Sequence, residues 1–321
     1  MVPNGSWGET NLGLIQCGKH SVLIDTCWDL RYTREMLDAC QPVLSQAPID
    51  TVINTHADGD HCWGNQLFKD RHIIASQACI DQMHHYHPRS LHALKHAGRV
   101  LQHLPVCGID HFGHYMHRMF EPYQFQGVHI TAANQGFSKQ QVLRVEGVEL
   151  VLTEMGPAHT DGDVVVHVPE RRVAYCGDLL FVGVTPVMWA GPVNALTAGL
   201  HFLKQLDVDV LVPGHGPLAT KQDVQTMIDY WHCMQDQVRA CFLRSMSPME
   251  AASHILFGAD FARRPWAHWD SPERLLTSAT TMYRHWGAKL THLPGKLGPM
   301  NLMRQQAQLA FALSRVRARA A

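Results

Sequence analysis

A chain of 321 residues and 36.1 kDa has room for one large domain or two modest ones. Hydrophobic residues make up 46%, charged residues only 17%, and the formal net charge is −1. This balance excludes a disordered chain and supplies no field that would draw the protein to nucleic acid or an anionic membrane. Histidine is the outlier, with 23 copies against 27 lysines and arginines. No apolar run has membrane-spanning length, and Met1-Val2-Pro3-Asn4-Gly5 lacks the basic and apolar regions of a signal peptide. Nine cysteines, an odd number without a CxxC pair, suit reduced thiols in a cytoplasmic protein. The expectation is an enzyme acting on a small molecule, without nucleic-acid or membrane partners; oligomeric state has no signature.

Leu12–Cys17 and Ser21–Asp25 read as strands joined by a Gly18-Lys19 turn. Tyr32 to Gln46 places Met36, Leu37, Cys40 and Leu44 near helical spacing, and Pro48 closes it. Asp50–Asn54 is the next strand and runs directly into a His/Asp cluster. Further strands are expected at 72–75, 142–145, 149–153, 164–168, 173–176 and 208–212. Several are unbroken β-branched runs, as in strands covered on both faces. Layered sheets with helices outside are the simplest solution. Residues from about 80 to 138 interrupt this pattern. Eleven histidines lie between His72 and His129, where an even spread would place about four. One helix is expected there, Ser90 to Leu104, with His92, His96, Arg99 and His103 on one face. The functional reading of that face is a lid over the site; the plainer reading is a solvated surface. His84-His85-Tyr86-His87 is likewise read as polar surface before metal patch. From about 221 onward the chain is mostly helical and ends in a basic run, Arg315-Val316-Arg317-Ala318-Arg319.

The chemistry is concentrated in Thr55-His56-Ala57-Asp58-Gly59-Asp60-His61. Four potential ligands fall within six residues after a strand, a donor set suited to zinc, iron or manganese. Three more candidates lie downstream: His159 in Pro157-Ala158-His159-Thr160-Asp161-Gly162-Asp163, Asp178 after Gly177, and His215 in Gly214-His215-Gly216. The adjacent glycines permit tight turns or close backbone approach. Cys62 and Cys176 flank these positions and read as small buried hydrophobes. Asp161 and Asp163 read as residues that fix their turn. Among Trp63, Trp189, Trp266 and Trp269, Trp189 is the candidate for lining a substrate pocket.

In the order and spacing of these four elements the chain resembles the metallo-β-lactamase superfamily, whose pattern is HxHxDH after a strand, a lone His, an Asp after Gly, and a His in a GHG-like turn. The resemblance extends to Asn11-Leu12-Gly13 and Val22–Thr26, and to Ser247–Ala252, Pro272–Leu275 and Met282–Arg284 in the helices of its hydrolase branch. It implies an α/β fold, the αββα four-layer sandwich, with residues 1–220 as core, a helical insertion at about 80–138, and 221–321 as C-terminal helices packed on that core. It implies two divalent ions, zinc first, with iron or manganese as alternatives. His56 and His159 would bind the first, Asp60, His61 and His215 the second, and Asp178 would bridge them. Asp60 would orient the attacking water. The activity implied is hydrolysis of an ester, lactone, thioester or amide by a metal-activated hydroxide.

Asp58 departs from the pattern, standing where the family has its second histidine. With a hydroxide and two aspartates, two divalent ions keep one net positive charge; a third carboxylate cancels it and favours harder ions. As a direct ligand, Asp58 would therefore support the alternative of a di-iron oxygen-dependent or redox enzyme, as in the flavodiiron branch. As a shorter side chain that fails to reach the metal, it would orient a neighbour instead.

Overall fold

The apolar runs pair into two five-stranded sheets in a computed structural model that describes residues 8–85, 87–104, 106, 108–289 and 297–320. The first sheet contains β1 (Gly13–Cys17), β2 (His20–Ile24), β3 (Ile49–Ile53), β4 (His72–Ser76) and β5 (Gln135–Phe137), side by side in chain order. β1 and β2 form an antiparallel hairpin and the remaining pairs are parallel. The second contains β6 (Gln140–Val145), β7 (Val148–Glu154), β8 (Val164–Val168), β9 (Val173–Phe181) and β10 (Val210–His215), in the order β10-β9-β8-β7-β6. Only β9 and β10 are parallel there. β2, β4, β8 and β10 are buried along nearly their whole length and show no alternation, whereas the edge strand β6 alternates half-buried with exposed residues.

Three apolar clusters define four layers. Ile15, Val22, Ile24, Leu150, Leu152, Val164 and Val166 fill the space between the sheets. Leu23, Val52 and Ile73 face outward from the first sheet toward helices, and Ala174, Cys176 and Leu211 do so from the second. This is the αββα sandwich. Leu150 is fully buried between the sheets. Leu150→Ala should therefore lower unfolding free energy by about 2–5 kcal/mol, measured by urea denaturation; a loss near zero would mean that the sheets do not pack on this residue.

Twelve helices cover the sheets among the described residues: α1 (Leu30–Ala39), α2 (Gln41–Leu44), α3 (Gly59–Cys62), α4 (Gln77–Gln82), α5 (Pro88–Leu101), α6 (Ile109–Phe120), α7 (Val193–Gln205), α8 (Lys221–Leu243), α9 (Pro248–Leu256), α10 (Ala259–Ala262), α11 (Leu275–His285) and α12 (Leu297–Ala320). The single helix expected over 32–46 is split, with Pro42 in the first turn of α2, where its missing N–H costs nothing. α9 starts at a capping box of Ser247 and Glu250, and α8 at one of Thr220 and Asp223. α6 has no counterpart in the sequence reading, although Phe112, Tyr115, Met116, Met119 and Phe120 are buried at helical spacing. The C-terminal helices divide between the outer layers. α8, α9 and α11 pack on the second sheet's side, while α12 joins both layers, with Ala307 and Ala310 in the cluster over the first sheet and Leu309 and Leu313 in that over the second.

The eight cysteines among the described residues are unbridged, with Cys62 and Cys176 buried. No helix among the described residues is long and apolar enough to cross a membrane. The N-terminal pentapeptide and Tyr86 lie outside the described residues.

A candidate dinuclear metal centre

The loop after β3, the turn before β8, the interior of β9 and the end of β10 bring the predicted residues together. The loop after β3 is held by its own polar groups: Asn54 Nδ2 donates to the His61 carbonyl at 3.1 Å, and the Thr26 N–H donates to the same oxygen at 2.9 Å. The Val164 N–H reaches the Thr55 carbonyl at 2.8 Å and ties the two sheets at this point. Asn11 spans the His215 turn, its Nδ2 donating to the carbonyls of Pro213 (2.9 Å) and Gly216 (2.7 Å). Asp178 lies inside β9 rather than in a turn after it; Gly177, at φ 51°, supplies the irregularity that aims it. A Cβ on Gly214 would collide with the Asp178 carboxylate, so close backbone approach is what that glycine provides.

Two triplets result. His56, His159 and Asp178 offer ligand atoms within 4.8 Å of one another, as do Asp60, His61 and His215, and all six residues are buried. Asp178 reaches toward both: Oδ1 is 3.2 Å from His61 Nε2, and Oδ2 is 3.4 Å from the Nε2 atoms of His159 and His215. Each histidine presents Nε2 because its Nδ1 is engaged. That of His159 donates to the Val187 carbonyl at 2.8 Å, that of His215 to the Glu9 carbonyl at 3.1 Å, and that of His61 to Asp25 Oδ2 at 2.9 Å. His56 Nδ1 faces Thr55 Oγ1 at 3.0 Å, and that hydroxyl donates to Asp25 Oδ2 at 2.7 Å. These partners assign the tautomers.

The donor chemistry fits divalent metal ions. His56 Nε2, His61 Nε2 and Asp178 Oδ1 are buried without hydrogen-bond partners, an expensive arrangement unless an ion meets them. Burial, reinforced by the charge of His61, pushes His56 well below the usual imidazole range. Burial opposes ionisation of Asp178 too, but the facing histidines hold it well below the ordinary carboxylate value. His159 is driven up to about 9, because Asp178 and Asp58 outweigh its desolvation.

Asp58 is in neither triplet. Its Oδ2 accepts from Trp189 Nε1 at 3.2 Å and lies 3.2 Å from His159 Nε2. Burial alone would raise its carboxyl; the hydrogen bond and charge of His159 hold it below the ordinary value instead. Asp163 accepts from the Thr160 N–H at 2.9 Å and its hydroxyl at 2.8 Å, whereas Asp161 is exposed.

A pocket of about 140 Å³ opens onto the triplets. Asp58, Asp60, His159, Asp178 and His215 form its polar floor, and Trp28, Trp63, Leu91, Met119, Phe120, Trp189 and Met303 its apolar wall. Trp189 thus lies where the sequence placed a pocket residue; Trp266 is buried in the core instead. From α5 it is Leu91 that borders the pocket, while His96, Arg99 and His103 are exposed, so the histidine face is not its lining. Sequence reasoning missed three contributors. Asp25 follows a strand as an ordinary strand-end residue, Trp28 has no motif, and Arg274 was visible only within a helix resemblance.

The profile of the metallo-beta-lactamase superfamily matches residues 5–215. No curated protein matches the chain. Among solved structures, a metallo-beta-lactamase family protein from Thermus thermophilus is similar at a TM-score of 0.60 and 19% identity, over 87% of this chain and 89% of that one. The stereoselective inverting sec-alkylsulfatase from Pseudomonas sp. is similar at a TM-score of 0.62 and 16% identity, over 90% of this chain and 49% of that one. The chain therefore spans about half the length of that enzyme. The matched region ends on His215, the last of the metal-facing histidines, and takes in both sheets and all six triplet residues. By that match the chain belongs to the metallo-beta-lactamase superfamily.

Proposed function

We propose that the protein is a hydrolase of small molecules that works with two divalent ions, zinc in the first instance, and cleaves an ester, lactone, thioester or amide. The observation that carries this reading is the pair of buried triplets whose Nε2 atoms and carboxylate oxygens converge below an apolar pocket. When bound, the ions supply Lewis acidity and a water of lowered pKa. His56, His159 and Asp178 would hold one ion, and Asp60, His61 and His215 the other, with Asp178 facing both. Asp60, whose Oδ2 lies 3.5 Å from His215 Nε2, would orient the attacking water. The tryptophan and phenylalanine wall excludes bulk water and seats the substrate's apolar part.

Asp58 would act here as an orienting residue: its carboxylate accepts the indole N–H of Trp189 at the pocket rim and lies 3.2 Å from His159 Nε2. The redox alternative draws its motivation from Asp58 as a metal ligand; the hydrolase reading is supported by its place outside both triplets, although its Oδ2 meets His159 Nε2 as closely as Trp189 Nε1, at 3.2 Å each.

Metal analysis of protein purified without added metal, together with turnover of activated esters and lactones under anaerobic conditions, tests the reading. Two zincs and oxygen-independent turnover are expected. Two irons with oxygen uptake would replace it with the redox reading. Asp58→His is a further test. With Asp58 serving Trp189, zinc stoichiometry should stay unchanged while KM rises; a marked gain in zinc occupancy would show that position 58 is a ligand position.

A further inference from the structure

Three helices outside the ligand-bearing motifs complete the pocket wall. Leu91 comes from α5, Met119 and Phe120 from α6, and Met303 from α12, well beyond the end of the matched region. Met119 and Phe120 are buried, and Leu91 and Met303 are half-buried against the same apolar cluster. A buried polar chain ties these helices together. Tyr115 Oη donates to Glu273 Oε1 at 3.0 Å, Gln306 Nε2 donates to the Tyr115 oxygen at 3.1 Å, and Thr277 Oγ1 donates to Gln306 Oε1 at 3.0 Å. All four residues are buried, and they join α6, the turn Pro272–Arg274, α11 and α12. Tyr115 stands one turn before Met119 on α6, and Gln306 one turn after Met303 on α12. Each polar contact therefore fixes the helix face that carries a pocket methionine.

The size of the space is the second observation. A pocket of about 140 Å³ with an apolar wall is close to the cavity of about 150 Å³ that takes up benzene, so it matches a group of about six carbons. The tryptophans of this wall are held by neighbours. Trp28 meets Phe120, Tyr123 and Phe125 edge-on, with centroids 5.6, 4.9 and 5.5 Å away, and Trp63 meets Phe125 in the same way. Methionine is unbranched and fills irregular gaps, so Met119 and Met303 are the parts whose bulk decides how much room is left.

We propose that the protein selects an acyl group of about six carbons by size, that Met119 and Met303 set this limit, and that Tyr115, Glu273 and Gln306 are positioning residues that hold the two methionines. Cleavage of the selected compound rests on the hydrolase reading, but the size limit is measured without turnover. Calorimetry on the purified protein would compare 1-butanol, 1-hexanol and 1-octanol. Affinity should rise about fourfold per methylene from butanol to hexanol, and less than about twofold in all from hexanol to octanol. Met303→Ala removes Cγ, Sδ and Cε, so octanol should then bind about tenfold more tightly than hexanol, with butanol affinity within about threefold of the parent. Met303→Trp should do the reverse, weakening hexanol about tenfold at nearly constant butanol affinity. General loss of structure cannot move the profile in both directions. Met119→Ala is a second route to the longer preference. Gln306→Met keeps the side-chain length, removes both hydrogen bonds and touches no ligand; octanol should gain several-fold over hexanol there too. An unchanged profile in that variant overturns the positioning role. A parent that gains equally at both steps, or a profile that no folded methionine variant moves, overturns the size limit. Activated esters should follow the same order, peaking at hexanoate in the parent and at octanoate in Met303→Ala. The binding profile without cleavage of any ester would count against the hydrolase reading alone.

Discussion

Asp178→Asn should empty both metal positions. Its two carboxylate oxygens face histidines of both triplets, at 3.2 Å from His61 and 3.4 Å from His159 and His215. Asparagine keeps the shape but replaces one anionic oxygen with an amide that donates, so it cannot offer two ligand oxygens. It also leaves the facing histidines without the carboxylate on which they converge. Loss of an outer partner typically costs ten- to a hundredfold in metal affinity, so removal of a ligand shared by two ions should cost more than about a hundredfold. Metal content by mass spectrometry should fall below one ion per chain, with hydrolytic turnover falling in parallel. Circular dichroism should remain that of the parent. Two retained ions in the variant would remove Asp178 from the centre.

The second large effect should come from Asp25, which touches no substrate and is not itself a ligand. Its carboxylate accepts from the Thr55 N–H and hydroxyl, each at 2.7 Å, and from His61 Nδ1 at 2.9 Å. Through Thr55 it also sets His56, so it orients one histidine of each triplet. The residue occupies the left-handed region at φ 59°, which asparagine tolerates as well as aspartate, so Asp25→Asn leaves the backbone unstrained. The new amide N–H would face His61 Nδ1, forcing that nitrogen to accept and moving the ring proton to Nε2, where the metal belongs. Affinity for zinc should fall by about ten- to a hundredfold, read by chelator competition. Unfolding free energy should fall by roughly 1–3 kcal/mol, the cost of an ill-matched buried polar group. Histidine nitrogen shifts would report the tautomer directly. Unaltered zinc affinity would reduce Asp25 to a purely structural part of the loop.

The contrast between these residues shows why one was legible and the other was not. Asp178 stands after a glycine in a spaced series of His and Asp, and residue type with order is enough to mark it. Asp25 is a strand-end aspartate like many others, and its role appears only when β2 and the loop after β3 come side by side. Arg274 is a similar case, because it lies 59 positions beyond His215 in the chain yet on the same pocket wall. The helix α6 was hidden for a local reason. Its apolar positions are interleaved with five charged or histidine residues and Gly113, which blurs the stripe that burial then makes plain.

Asp58 marks the boundary most clearly. From its place in the motif it could be a ligand or an orienter, and no property of the string separates the two. The structure adds two contacts of equal length, from Asp58 Oδ2 to Trp189 Nε1 and to His159 Nε2, each at 3.2 Å and each to a residue far away in sequence. The amino-acid sequence by itself determined the layered α/β architecture, since hydrophobic period and β-branched runs are local properties that each strand carries alone. It also marked the six histidines and aspartates that converge, with Asp58 left open, because their motif is a string of adjacent positions followed by three glycine-marked ones. Only the tertiary structure decided which side chains orient those ligands, which face of the insertion meets the pocket, and where its cation stands. Those assignments depend on contacts between segments distant in the chain, and such contacts leave no periodicity in the sequence.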